Sequence, residues 1–177
     1  DHLFIILNPV DTFDDELTFR ELDVFLTRTM IVTVHSAEHE PAVEHVMGRC
    51  NAKIEAGQKV SVGFLIYALA DIVVDLYFPI LDKIGDEIED ISETIIEKPR
   101  REDLNRVFRL KRALAEMWRV AAQQRDMFNV FQRQESPYVN EEIARYYMRD
   151  IYDHLLRISD TVSTFRDTVS GVIDLYL

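Results

Sequence analysis

The chain has a single cysteine, Cys50, so no internal disulfide can form and a cysteine-based zinc site is excluded. One free thiol fits a reducing compartment. Its five glycines are scattered at positions 48, 57, 63, 85 and 171. None falls into a phosphate loop, a dinucleotide fingerprint or a nucleophile elbow. Glu-x-x-His is absent, which removes a carboxylate-bridged di-iron bundle. Positive charge is also scarce: 20 Lys and Arg stand against 32 Asp and Glu, a net −12. Phosphate binding needs a basic surface, so nucleic acid is not the partner. An acidic surface suits cations. With no catalytic constellation, the reading is not an enzyme. No signal peptide, internal repeat or low-complexity tract is visible.

What the chain does have is length and helical order. Its 177 residues, 47% hydrophobic and 29% charged, suffice for a folded domain with helical extensions. The most regular stretch is Asn140 to Leu177. Met148, Ile151, Leu155, Ile158, Val162, Phe165, Val169, Val172 and Tyr176 alternate steps of three and four. That spacing is the a/d seam of a helix lying against other helices. Asp153, Asp160, Asp167 and Asp174 recur every seventh residue on the opposite face. The stretch predicts a stalk about 55 Å long at 1.5 Å per residue. It ends in phase at Leu177, and the chain begins without Met at a strand-like Leu3–Leu7. Both ends read as cuts, with the protein's business beyond the second.

Residues 1–36 read as β structure. Strands are expected at Leu3–Leu7, over 17–26 with a bulge, and at Met30–His35, with a turn at Asp14-Asp15. Three strands without intervening helices suggest an antiparallel sheet edge. A short helix follows from Pro41 to Glu55, with Gly57 after it. Val60 to Leu81 is long enough to span a membrane. Asp71 and Asp75 lie in its middle, each costing roughly 2.5–3.5 kcal/mol at a membrane helix centre. It reads as a buried soluble helix. Val62–Glu97 continues as an acidic helix, Lys98-Pro99-Arg100 breaks it, and Glu102–Gln134 is a basic helix. Together they predict an antiparallel hairpin with charge complementarity, linked through Ser136-Pro137 to the stalk.

His35, His39 and His45 lie across a strand end, a loop and a helix, and read as surface histidines. Asp71 and Asp75 are i,i+4 on one face of an apolar helix, where carboxylates need a partner or a cation. Two readings stand: pairing with an arginine or a backbone amide, or a hard-cation site. The stalk aspartates pose the same choice, since Arg149, Arg157 and Arg166 can neutralise part of the line. Around an axis of several copies, that line becomes a column of carboxylate rings.

Three blocks carry a family resemblance. They are Tyr67-Ala-Leu-Ala-Asp71-Ile-Val-Val-Asp75-Leu-Tyr-Phe-Pro79, Tyr147-Met-Arg-Asp150-Ile-Tyr-Asp153-His154, and Phe165-Arg-Asp167-Thr-Val-Ser-Gly171-Val-Ile-Asp174-Leu-Tyr-Leu177. A middle segment, Leu110-Lys111-Arg112-Ala-Leu114, fits as well. With them the whole chain resembles the cytoplasmic part of the CorA magnesium and cobalt transporters. The resemblance implies an α+β fold: a small β-sheet portion with a short helix (1–60), a long antiparallel helix pair (61–135) and a stalk helix (136–177). It implies a homopentamer in the full-length membrane protein, on the cytoplasmic face, with Mg2+ or Co2+ as ligand and an intracellular Mg2+ level that gates the pore. Asp150 then looks like a shared intersubunit ligand, Asp71 like its partner, and Asp174 like a carboxylate ring at the inner pore mouth. A further site aspartate before Asp1, and two membrane helices with Gly-Met-Asn after Leu177, are implied too. The alternatives are the cytoplasmic domain of a ZntB-like zinc transporter and a soluble helical interaction module whose acidic stripe is only solvated surface.

Overall fold

A computed structural model describes residues 1–11, 16–36, 39–133, 138 and 142–176. The expected Asp14-Asp15 turn, the Ser136-Pro137 link and the outermost stalk residues, Asn140 and Leu177, lie outside them. The strands are β1 (Leu3–Leu7), β2 (Leu22–Leu26) and β3 (Ile31–His35), antiparallel in the order β1-β2-β3. Alternation sends Ile5, Leu7, Leu22, Val24 and Leu26 into the core. Phe4, Ile6, Val32 and Val34 face the other way and are exposed.

The second strand is shorter than expected, and a proline explains why. The β1–β2 register continues outward to a lone Val10–Phe19 bridge. Between them the Arg20 amide donates to the Pro9 carbonyl, but Pro9 has no N–H to return the bond. The Asn8 side-chain amide donates to the Arg20 carbonyl instead, at 3.4 Å. The regular ladder therefore stops at Leu22.

Five helices follow. The first, α1 (Pro41–Glu55), starts on Glu40, whose buried carboxylate accepts the Ala42 amide and pairs with Arg20 Nε at 3.1 Å. It closes at Gly57, which adopts φ 72°, a conformation glycine takes without a Cβ penalty. Ser61 caps α2 (Val62–Asp75) by accepting the Phe64 amide. The expected continuous helix breaks at Leu76, and α3 (Tyr77–Glu97) resumes from there. Pro79 is the cause: it cannot donate to the Asp75 carbonyl one turn back. Of the described helices, the stretch Val62–Glu97 is long and apolar enough to cross a membrane by length and composition. Half of its most apolar window is buried inside this fold, as in a core helix.

The charged hairpin forms between α3 and α4 (Arg101–Arg133). Arg106 reaches Asp90 at 2.8 Å, and Arg109 reaches Glu87 at 2.5 Å. Beneath these pairs Ile84, Ile88, Ile91 and Ile95 are buried, as are Val107, Leu110, Leu114 and Met117. Asp103 reaches back to accept the Arg100 amide, a cap that fixes the start of α4.

The last helix, α5 (Glu142–Tyr176), has 35 residues and is roughly 52 Å long. Its seam residues Met148, Ile151, Leu155, Ile158, Val162, Val169 and Val172 are buried, and Asp153, Asp160, Asp167 and Asp174 are exposed. The seam is filled from within the subunit, by α4, α3 and α2. Phe165, for one, lies 3.1 Å from where a Cβ on Gly85 of α3 would stand. The expected packing of this helix against other helices is thus met within one subunit. A periodic apolar stripe reports that a helix packs, not whose helix it packs on.

Candidate metal centre

Where α5 crosses α2 and the start of α3, the packing turns polar. Tyr67 and Tyr147 stack at 4.2 Å between ring centres and bring the two helices face to face. One turn further along each helix stand Asp71 and Asp150, and one more turn along α5 stands His154. Asp71, Asp150 and His154 each offer a ligand atom, all within 4.8 Å of one another. Among the described residues no other group of three His, Cys, Asp or Glu side chains converges so. Asp75 closes the side of the cluster, 3.9 Å from His154 Nδ1, while His154 Nε2 lies 3.9 Å from Asp150.

The electrostatics are those of a site short of positive charge. Asp71 is held above the usual carboxylate range, first by burial and then by the Asp75 carboxylate. Arg49, 3.7 Å away, opposes both without cancelling them. The Tyr67 hydroxyl is pushed up to about 12 by burial and by Asp71 and Asp150. His154 Nδ1 is buried and has no hydrogen-bond partner, while Phe78 packs edge-on against its ring. Two carboxylates and an imidazole with an unmatched nitrogen fit a divalent cation. The carboxylates supply charge, and the imidazole supplies a softer donor.

The other expected residues fall elsewhere. Asp75 belongs to the rim, its side chain largely exposed. Asp174 lies 24 residues along α5 from Asp150, roughly 36 Å away, exposed and outside the cluster. His39 and His45 are exposed, His39 pairing with Glu44, and His35 is half-buried at the end of β3. His154 was not singled out from the sequence as a donor. Its signal was there: Asp150 and His154 are i,i+4, the spacing that puts two side chains on one helical face.

The same architecture occurs in the solved CorA magnesium transporter of Methanocaldococcus jannaschii. The match has a TM-score of 0.85 at 21% identity, over 99% of this chain and 55% of that one. The ZntB cytoplasmic domain of Vibrio parahaemolyticus shares it as well, at TM-score 0.78 and 14% identity over 99% and 68%. At such identities the likeness shows the fold alone: a small antiparallel sheet followed by long helices. The chain belongs to the CorA-like Mg2+ transporter family, which it matches over residues 1–177. The cobalt/magnesium transport protein CorA of Thermotoga maritima is 35% identical over 99% of this chain and 50% of its own length. The chain thus spans about half the length of that curated relative. The family is one of ion transporters, not of enzymes.

Proposed function

We propose that this chain is the cytoplasmic regulatory and stalk region of a divalent-cation channel, and that its cluster of acids senses intracellular Mg2+. The observation that carries the reading is the convergence of Asp71, Asp150 and His154 within 4.8 Å, next to a fourth acid or base partner at Asp75. With a divalent ion held there, α2 and α5 are clamped together. Without it, Asp71, Asp75 and Asp150 repel across the crossing, and α5 is freed to shift. In a homopentamer the exposed half of Asp150 is available to a neighbouring subunit, and the outward Asp174 of each copy joins a ring at the pore's inner mouth.

The imidazole gives specific support to a second reading. His154 suits Co2+ or Zn2+ better than Mg2+, which prefers oxygen donors and keeps most of its waters. A ZntB-like zinc transporter domain is the corresponding assignment, and the fold is shared with a ZntB cytoplasmic domain.

Calorimetry separates these. The chain is titrated with Mg2+, Co2+ and Zn2+, and then the Asp150→Ala variant is titrated in the same way. Saturable Mg2+ binding lost in the variant supports sensing, and Zn2+ binding alone supports the second reading. An absence of saturable binding for all three leaves only a helical interaction module.

A further inference from the structure

The cluster of acids has one full positive charge beside it, and that charge comes from a different helix. Arg49 lies on α1, which packs along α2. Its Nη1 stands 3.7 Å from Asp71 Oδ2. Among the described residues no other arginine or lysine pairs with Asp71, Asp75 or Asp150. The pair is unlike those of the α3–α4 hairpin, where Arg106 donates to Asp90 at 2.8 Å. Charge-assisted bonds of that kind run about 2.7–2.9 Å. At 3.7 Å Arg49 makes no hydrogen bond to Asp71, so it supplies charge without occupying either carboxylate oxygen.

A second partner on α2 holds the guanidinium in that place. Its central carbon lies 5.8 Å from the centre of the Phe64 ring, within cation–π range. Phe64 and Asp71 are seven residues apart, close to two turns along one face of α2. Lys53, four residues on from Arg49, stands over the same ring at 4.7 Å. Arg49 is thus shared between an aromatic ring and a carboxylate. Its side chain is 38% exposed, so solvent reaches it and little is lost when it swings clear. A divalent ion held by Asp71 and Asp150 brings two positive charges to the carboxylate that Arg49 faces. A unit charge about 5–6 Å from such an ion, in a setting as polar as water, weakens its binding about 10-fold.

We propose that Arg49 is a tethered competitor at the metal centre: it stands in for the divalent cation at Asp71 and is displaced toward Phe64 when the ion binds. It thereby sets the cation concentration at which the site fills. This rests on the reading of Asp71, Asp150 and His154 as a divalent-cation centre.

Calorimetry on the full-length protein, with Mg2+ and with Co2+, tests it. Arg49→Gln keeps much of the side chain and removes its charge. The Asp71-dependent binding is expected to tighten about 10-fold in that variant at low salt. The gain is expected to fall below ~3-fold in about 0.5 M KCl, where exposed charges are screened. Arg49→Lys is expected to stay within ~3-fold of the parent, because charge acts here and not a bidentate bond. In an Asp71→Asn background, Arg49→Gln is expected to change nothing. Equal or weaker binding in Arg49→Gln, beside a parent that binds saturably, overturns this proposal alone. A gain that survives high salt, or that persists without the Asp71 carboxylate, reports repacking and overturns it as well. Failure of parent and variant alike to bind either ion saturably removes the sensing reading, and this proposal with it.

Discussion

The two ends of α5 use one seam for opposite purposes. Along the shaft, from Ile158 to Val172, the seam is apolar and buried except at half-buried Phe165, and the aspartates on the back stand in solvent. At the head, from Tyr147 to Arg157, the same seam passes beside acids that face another helix's acids. There Asp71 is half-buried and held above its usual range, whereas Asp160 and Asp167 are exposed. The difference teaches where charge matters. Solvent screens the shaft's carboxylates, so they cost little and do little alone. At the head, burial raises the cost of like charge, and a cation relieves it.

The comparison breaks most violently if the shared seam is removed. Leu155→Ala, at a fully buried seam position, is expected to cost about 2–5 kcal/mol in chemical denaturation. A loss under about 1 kcal/mol would mean that α5 is loosely held. Next comes the cation. Asp150→Ala should weaken divalent binding at least ~10-fold by calorimetry, with little change in metal-free stability, because half of that side chain is in solvent. Equal affinity in the variant would move the site elsewhere.

A smaller effect sharpens the electrostatic side. Because folding raises the Asp71 pKa, its ionised form opposes folding, and the cost is full above the folded pKa and gone below the unfolded one. Asp71→Asn should therefore stabilise the metal-free chain at neutral pH. That gain should shrink as pH falls through the carboxyl's raised range, which thermal melts across pH would show. A gain that grows toward acid would reverse the sign. Last, Asp160→Asn and Asp167→Asn should each stay within about 0.5 kcal/mol of the parent. A larger shift in dilute solution would show that the shaft's line is already engaged.

Much of this was readable from residue order. The three-and-four spacing of α5, the outward aspartates and the acid–base hairpin all follow from local periodicity, and the structure has each of them. The break at Leu76 was signalled by Pro79 but lost in a run of apolar residues that looked continuous. The stop at Leu22 needed the partner strand, since Pro9 acts across the ladder on Arg20. His154 was missed because a lone histidine next to a seam looks ordinary. Only the approach of α2 puts two more donors beside it.

The chain's own order determined which residues turn inward on each element, because helical and strand periods are properties of a few neighbouring residues. The fold alone decided what each inward face meets. It gave the α5 seam to helices of its own subunit and set Asp71 against Asp150 across a helix crossing. Such meetings join residues far apart along the chain, and no local spacing encodes them; they follow from which faces can be buried together.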